Sequence, residues 1–216
     1  MADKFNKIPE KLIIFTRYPE PGKTKTRLIP ALGVEGAAKL HRHLIQHTLN
    51  QVENLIKNRA VEVEVKYAGG SQELMQKLIP PPINCTPQSQ GDLGEKMKNA
   101  LAENFAQQKQ RLLIIGTDCP GLDNHRLKQA FDRLYNYDLV LGPALDGGYY
   151  LIGMRRMIPE LFAKIDWGTE IVMQQTLAIA QHLNLTYSLL DTLADIDRPE
   201  DLTLFNIEAK LSPNFP

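Results

Sequence analysis

Lys11-Leu-Ile-Ile-Phe-Thr16 is a short apolar run bounded by Pro9 and by the loop Arg17-Tyr-Pro-Glu-Pro-Gly-Lys-Thr-Lys-Thr-Arg27, and its reading decides the fold. A run of this length between turn residues predicts a buried strand. From Val34 to Lys57, Ala37, His41, Leu44, Thr48, Val52 and Leu55 recur at steps of three and four. Ile45, Leu49 and Ile56 widen that stripe, so the segment predicts an amphipathic helix. Val61-Glu-Val-Glu-Val-Lys-Tyr67 then alternates strictly, the period of a strand with one buried face, and Gly69-Gly70 ends it.

The same grammar continues outward. Ser71 is placed to cap a short helix through Leu78. Pro80-Pro81-Pro82 reads as a stiff loop, because the flanking segments are too short to be independent domains. Helices are expected over 93–108, 124–135 and 169–182, with a short terminal one from Pro199 to Ile207. Strands are expected over 112–116, 138–142, 149–153 and 185–190. Strands alternating with helices predict an α/β fold, a largely parallel sheet covered on both faces. The 216 residues suit one domain, with no internal repeat.

Composition excludes several classes. Lys+Arg and Asp+Glu both number 25, and this zero formal charge argues against nucleic-acid binding through bulk charge. With 43% apolar residues and mixed charge signs the chain is not of the disordered class. No stretch approaches the roughly 18 apolar residues of a membrane span, and Met1–Lys7 is not followed by the apolar segment of a secretory signal. Cys85 and Cys119, with no CxxC pair, favour reduced thiols and a cytoplasmic protein.

In open α/β sheets ligands bind outside the carboxyl ends of strands. The loop after the first strand gathers Arg17, Lys23, Lys25 and Arg27 against the single acid Glu20, which makes it an anion well; the same residues would also suit a solvated basic loop. Gly22 lets the backbone approach a ligand. Gly22-Lys23-Thr24 is not a P-loop, since the required earlier Gly is Arg17. Asp118 follows its strand directly, and Asp197 precedes the last helix. Two carboxylates from separate loops fit Mg2+ or Mn2+; Mg2+ typically completes its shell with water and phosphate oxygens. A helix cap for Asp197 and a turn for Asp118 are the simpler alternatives. Asp146-Gly147-Gly148 suits either close packing on a sugar or a hairpin turn.

Taken together, residues 12–28 (LIIFTRYPEPGKTKTRL), 88–97 (QSQGDLGEKM), 114–122 (IIGTDCPGL), 140–153 (VLGPALDGGYYLIG), 167–169 (WGT) and 195–202 (DIDRPEDL) resemble a family of predicted bacterial glycosyltransferases associated with radical-SAM and selenoprotein-domain genes. That family lies within the wider nucleotide-diphospho-sugar transferase superfamily. The resemblance implies a three-layer α/β/α sandwich of the A-type glycosyltransferase kind, with a mixed, mostly parallel sheet. It implies that Arg17, Lys23, Lys25 and Arg27 lie over a diphosphate or triphosphate, that Asp118 and Asp197 bind the metal, and that Gln88 or Gln90 with Gly91 serves the base pocket. Two departures are visible. Asp118-Cys-Pro stands where many glycosyltransferases have Asp-x-Asp, and Pro-Glu-Pro-Gly replaces the long Gly-rich loop of sugar nucleotidyltransferases.

The expected activity is metal-dependent transfer of a sugar from a nucleotide sugar to an acceptor, with Asp118, Asp146 and Lys25 as the catalytic candidates. Gly147, Gly148, Trp167 and Glu170 would flank the acceptor. Trp167 equally suits a helix anchor, and Glu170 a first-turn acid. Nucleotidyl transfer from a nucleoside triphosphate and a non-catalytic nucleotide-binding regulator are the alternatives. His43 and His47, four apart on the first helix with His41 nearby, have metal-ligand spacing but read as surface or edge histidines, and Cys119 reads as a small packed residue.

Overall fold

The computed structural model describes residues 9–204. The reading of Met1–Lys7, and positions 205–207 of the expected terminal helix, lie outside the described residues. Seven strands form one sheet: β1 (Glu10–Arg17), β2 (Glu62–Ala68), β3 (Asn84–Pro87), β4 (Arg111–Ile115), β5 (Leu139–Pro143), β6 (Tyr149–Met154) and β7 (Tyr187–Leu189). Their spatial order is β3-β2-β1-β4-β6-β5-β7. Only β6 runs antiparallel to its neighbours, against β4 and β5. The short edge strand β3 was not legible as a strand, because four residues ending in Pro87 carry no alternation.

Alternate residues of each central strand feed opposite faces. Leu12 and Ile14 of β1 and Leu113 and Ile115 of β4 join one core with Ile45, Leu49 and Val52 of α1 (Ile29–Ile56) and Leu127 and Phe131 of α4 (Asn124–Arg133). Ile13, Phe15, Leu112 and Ile114 join the other, with Met97 and Leu101 of α3 (Leu93–Ala106) and Ala180 of α5 (Val172–His182). Each fully buried Leu, Ile, Val or Phe side chain among them contributes about 1.5–3 kcal/mol of transfer free energy before entropy is counted. Helix α1 bends at Gly33, whose φ of 70° and ψ of 172° are not helical, so the regular helix resumes at Val34.

The next two helices in chain order each begin where a side chain satisfies a free N–H group. Ser71 caps α2 (Gln72–Leu78), accepting from Leu74 N at 3.3 Å. A reciprocal box of Asp92 and Glu95 starts α3. Helix α5 begins at Val172, three residues later than expected, and α6 spans Asp201–Leu204.

The chain places β2 and β3 on one side of β1, then crosses to place β4 on the other. The carboxyl ends of β1 and β4 therefore flank a reversal of strand order, where open α/β sheets form their ligand crevice. Thr16 Oγ1 and Thr117 Oγ1 bridge those ends at 3.1 Å.

Candidate active site

The loop after β1 is shaped by its own polar groups. Thr24, 3% exposed, donates its hydroxyl to Tyr18 O at 2.9 Å and accepts from Glu20 N at 3.2 Å. Lys25 then adopts φ 50°, ψ 43°, a left-handed conformation that costs a non-glycine residue about 1–2 kcal/mol. Two anchors offset that strain. Leu28 N bonds Lys25 O at 2.9 Å, and Leu28 is fully buried with Leu40, Leu44, Ile196 and Leu202 in a third apolar cluster. That cluster ties the cationic loop to the segment preceding α6.

The ammonium of Lys25 ends in a cage of oxygens. It lies 2.9 Å from Asp118 Oδ1 and 3.7 Å from Asp197 Oδ1, and donates to the carbonyl of Ile196 at 2.5 Å. The Lys25 side chain is only 5% exposed. Arg27 holds the other oxygen of Asp197. Ile196 N bonds Asp118 O at 2.9 Å, so the two acidic loops are also joined through backbone. The Asp197 carboxylate is engaged by Lys25 and Arg27, and Asp201 accepts from the N–H groups of Asp197 and Arg198 at 2.9 and 2.7 Å.

His41 belongs to this cluster, which corrects the surface or edge reading of the first-helix histidines in its case. Its side chain is 5% exposed. Nε2 lies 3.0 Å from the carbonyl of Arg17, and a carbonyl can only accept, so Nε2 carries the proton. Nδ1 faces Asp118 Oδ1 at 3.8 Å and is sealed from solvent without a hydrogen-bond partner, while that oxygen is met by the Lys25 ammonium. Burial holds the imidazole below its ordinary value, opposed by the charge of Asp118 and reinforced by that of Lys25. The sequence signal was present: His41 shares the stripe of Ala37 and Leu44, and a polar group on a buried stripe requires a polar partner.

The other candidates divide into several groups. Arg17, exposed at the end of β1, supplies its carbonyl to His41. Lys23 is paired with Glu20 at 2.8 Å on the loop surface. Gln88 donates Nε2 to Thr16 O and Lys66 O, at 3.3 and 3.2 Å, which fixes it beside the crevice. Gln90 is exposed in the same loop. Gly91 has φ 111° and a local reason to be glycine, since a Cβ would fall 2.1 Å from Glu95 Oε2 of the capping box.

Asp146, Gly147 and Gly148 form the tip of the β5–β6 hairpin, with Gly148 N bonded to Asp146 Oδ1 at 2.8 Å, so the turn alternative holds for the backbone. Gly147 packs on the backbone of Glu170. Trp167 packs on Gly94 of α3, stacks near Phe162 at 6.5 Å and meets Tyr149 edge-on at 6.4 Å, as an anchor would. Glu170 is exposed before α5. Asp195 is raised from its ordinary value by burial and by the charge of Asp146, so the hairpin tip lies near the acidic loop. Cys119 is buried, and that burial with the surrounding carboxylates pushes its thiol upward, opposite to a nucleophile's requirement.

A cavity of about 490 Å³ lies at the opposite edge of the sheet, between Pro9, Glu10, Arg59, Arg111 and Tyr135. Its two arginines are committed to the buried Glu10 at 2.5 and 2.8 Å, a structural ion network. Among the described residues no helix is long and apolar enough to cross a membrane.

Comparison with known proteins bears on this geometry. The family model "Uncharacterized protein conserved in bacteria (DUF2064)" matches residues 51–169. No curated protein matches the sequence. A structure from Desulfovibrio desulfuricans G20, provisionally described as a nucleotide-diphospho-sugar transferase, is 32% identical, with 95% of this chain and 89% of that chain covered and a TM-score of 0.84. The inositol-1-phosphate CTP transferase of T. maritima is 14% identical, with coverage of 97% and 98% and a TM-score of 0.60. The 4-diphosphocytidyl-2C-methyl-D-erythritol synthase of Anaerococcus prevotii is 8% identical, with coverage of 94% and 97% and a TM-score of 0.61. The last two show likeness of fold alone. The match over residues 51–169 and the 32% identical relative show that this chain belongs to the DUF2064 family and has the nucleotide-diphospho-sugar transferase fold.

Proposed function

We propose that the chain is a metal-dependent transferase that uses a nucleotide-activated substrate, moving a sugar from a nucleotide sugar to a small-molecule acceptor in the cytoplasm. The observation carrying this reading is the meeting of Lys25, Asp118 and Asp197 at the crevice between β1 and β4. The residues fit a hard divalent ion. Among the described residues no group of three metal-binding side chains is gathered, but Mg2+ favours one or two carboxylates with water and phosphate oxygens. Asp118 Oδ1 is sealed from solvent and meets a positive charge, the Lys25 ammonium at 2.9 Å, as a carboxylate placed for a cation would. Asp118 and Asp197 would hold Mg2+ or Mn2+, which when bound supplies charge neutralisation at the diphosphate leaving group.

The chain's own groups do the rest. Arg17, Lys25 and Arg27 stabilise negative charge, and stabilisation that grows as the leaving group departs accelerates the reaction. Lys23 adds charge at the loop surface. Gln88 spends its amide N–H groups on two backbone carbonyls, so it presents an oxygen, an acceptor, to a base. Gln90 and Gly91 continue that wall. The hairpin bearing Asp146, Gly147 and Gly148 faces the loop with Trp167 and Glu170, where the acceptor would bind. There Asp146 orients the sugar or takes the acceptor proton.

Nucleotidyl transfer is the second reading. The departures in the first loop and at Asp118-Cys-Pro leave it open, and the inositol-1-phosphate CTP transferase of the same fold keeps it in view. Incubating the protein with sugar nucleotides or with nucleoside triphosphates, Mg2+ or Mn2+ and candidate acceptors separates the two. Glycosyl transfer releases nucleoside diphosphate, and nucleotidyl transfer releases pyrophosphate. Asp118→Asn should reduce either turnover by about 10²–10³. Nucleotide binding without any product would indicate a regulator, and unaltered turnover in Asp118→Asn would overturn the site.

A further inference from the structure

Lys25 fills the place that the preceding reading gives to a divalent cation. Its ammonium touches two carboxylates and the Ile196 carbonyl, three oxygens of the kind hard cations select. The cage is not merely a surface cluster of acids. His41, with its side chain 95% buried, aims the unpartnered Nδ1 at the same oxygen of Asp118 that meets the ammonium. Lys25 is also the cationic residue of the loop with the most restricted side chain: Arg27 is 65% exposed and Lys23 is 65% exposed, against 5% for Lys25.

We propose that Lys25 is an internal cation that competes with the divalent ion for the Asp118–Asp197–Ile196 cage, so that metal binding expels its ammonium and makes it available to the substrate diphosphate. This rests on the reading of Asp118 and Asp197 as metal ligands. Two positive charges cannot share three oxygens at contact distance without strong repulsion. The backbone of Lys25 is pinned through Leu28, whereas its side chain has four rotatable bonds, so the exchange requires rotation of the side chain alone. The device couples the two ligands. Metal and free phosphate-binding ammonium appear together, and each ligand should tighten the other.

Two measurements test this on the whole chain with Mn2+ as probe. In the wild type, the acylation rate of Lys25 by acetic anhydride, read by peptide mass spectrometry against other lysines, should rise several-fold when Mn2+ is added. In Lys25→Met, Mn2+ affinity followed by electron paramagnetic resonance should be about tenfold tighter or more than in the wild type. An unchanged or falling Lys25 labelling rate on Mn2+ binding overturns the competition even if the variant does not fold. Equal or weaker Mn2+ affinity in a folded Lys25→Met also overturns it. Asp118→Asn and Asp197→Asn separate the levels. If they abolish Mn2+ binding while Lys25 labelling is insensitive to metal, the metal site stands and the competition fails. If Mn2+ binds neither wild type nor Lys25→Met, both fail together.

Discussion

Replacing Gly147 by Ala tests whether the β5–β6 hairpin is locked onto the Trp167–Glu170 loop. Gly147 has φ 87°, and an added Cβ would fall 2.0 Å from the carbonyl oxygen of Glu170 and 2.5 Å from its carbonyl carbon. Those atoms are backbone, so no side-chain rotation relieves the overlap. Gly147 O also accepts from Met173 N at 2.9 Å, near the start of α5. The unfavourable φ contributes about 1 kcal/mol. Overpacking adds about 1–3 kcal/mol and the displaced hydrogen bond about 1 kcal/mol, for a loss of about 3–5 kcal/mol. For a chain of this size that lowers the melting temperature by about 6–20 °C. Gly168→Ala is the matched control, because Gly168 has φ 81° and an added Cβ there would meet nothing within 4 Å. It should lose only about 1 kcal/mol. Urea unfolding of the wild type and both variants, with unchanged slope, gives the difference directly. Losses for the two variants within about 0.5 kcal/mol of each other would refute the docking of hairpin on loop.

Gly94→Ala would place a methyl 2.4 Å from Trp167 Nε1, and Trp167 is the sole tryptophan; its emission should shift to the red, and an unchanged spectrum would show that the indole does not rest on α3. Burial raises Asp138, but hydrogen bonds from Thr186 N and Oγ1 and from Arg155 outweigh it and bring the carboxyl down to about 2. A depressed folded-state value means that the stabilisation, on the order of 2 kcal/mol, is fully present above about pH 4 and is lost as pH falls toward 2. The stability gap between wild type and Asp138→Asn should therefore shrink over that window, and a gap constant with pH would count against it. Cys85 and Cys119 are 3% and 7% exposed, both with thiols pushed upward, chiefly by burial. Iodoacetamide at pH 8 should leave both unmodified in the folded protein, and reaction at the unfolded-chain rate would contradict their placement.

The sequence carried the central sheet because the run Leu112–Ile115 and the alternation of Val61–Tyr67 state their burial directly. Edge strand β3 escaped because it pairs on one side only and ends in proline, leaving no period to read. At the site, charge and position after a strand were enough to nominate Lys25 and Asp118. They were not enough to rank Lys25 above Lys23, two residues away with the same charge. That distinction comes from a left-handed turn and from the burial of Leu28, both products of tertiary packing. Asp197 was ambiguous because a carboxylate just before a helix suits a cap as well as a ligand, and only tertiary packing brings Lys25 and Arg27 to its oxygens. His41 was placed on the buried stripe by its spacing, yet its partners lie 24 residues before it and 77 after it, beyond the reach of local pattern.

The meeting of Asp118 and Asp197 is imposed by forces other than their charges. After β7 the chain turns back along the carboxyl edge of the sheet. There Leu193 N bonds Pro143 O and Leu145 N bonds Leu193 O, both at 3.0 Å, and Ile196 N bonds Asp118 O at 2.9 Å. Ile196 itself is fully buried against Leu28, Leu40 and Leu44. These backbone bonds and this apolar anchor would bring the two carboxylates together whether or not a cation were present. Two carboxylates held beside one ammonium repel once that ammonium leaves, so the backbone has built a position that requires a positive charge. The covalent tether of Lys25 meets that requirement within the chain itself, while Arg27 compensates only the far oxygen of Asp197. A purely structural salt bridge would be equally served by a pair with no strained residue. The left-handed Lys25, the unpartnered Nδ1 of His41 and the backbone-enforced approach of two acids are the features on which the proposed exchange of cations would act.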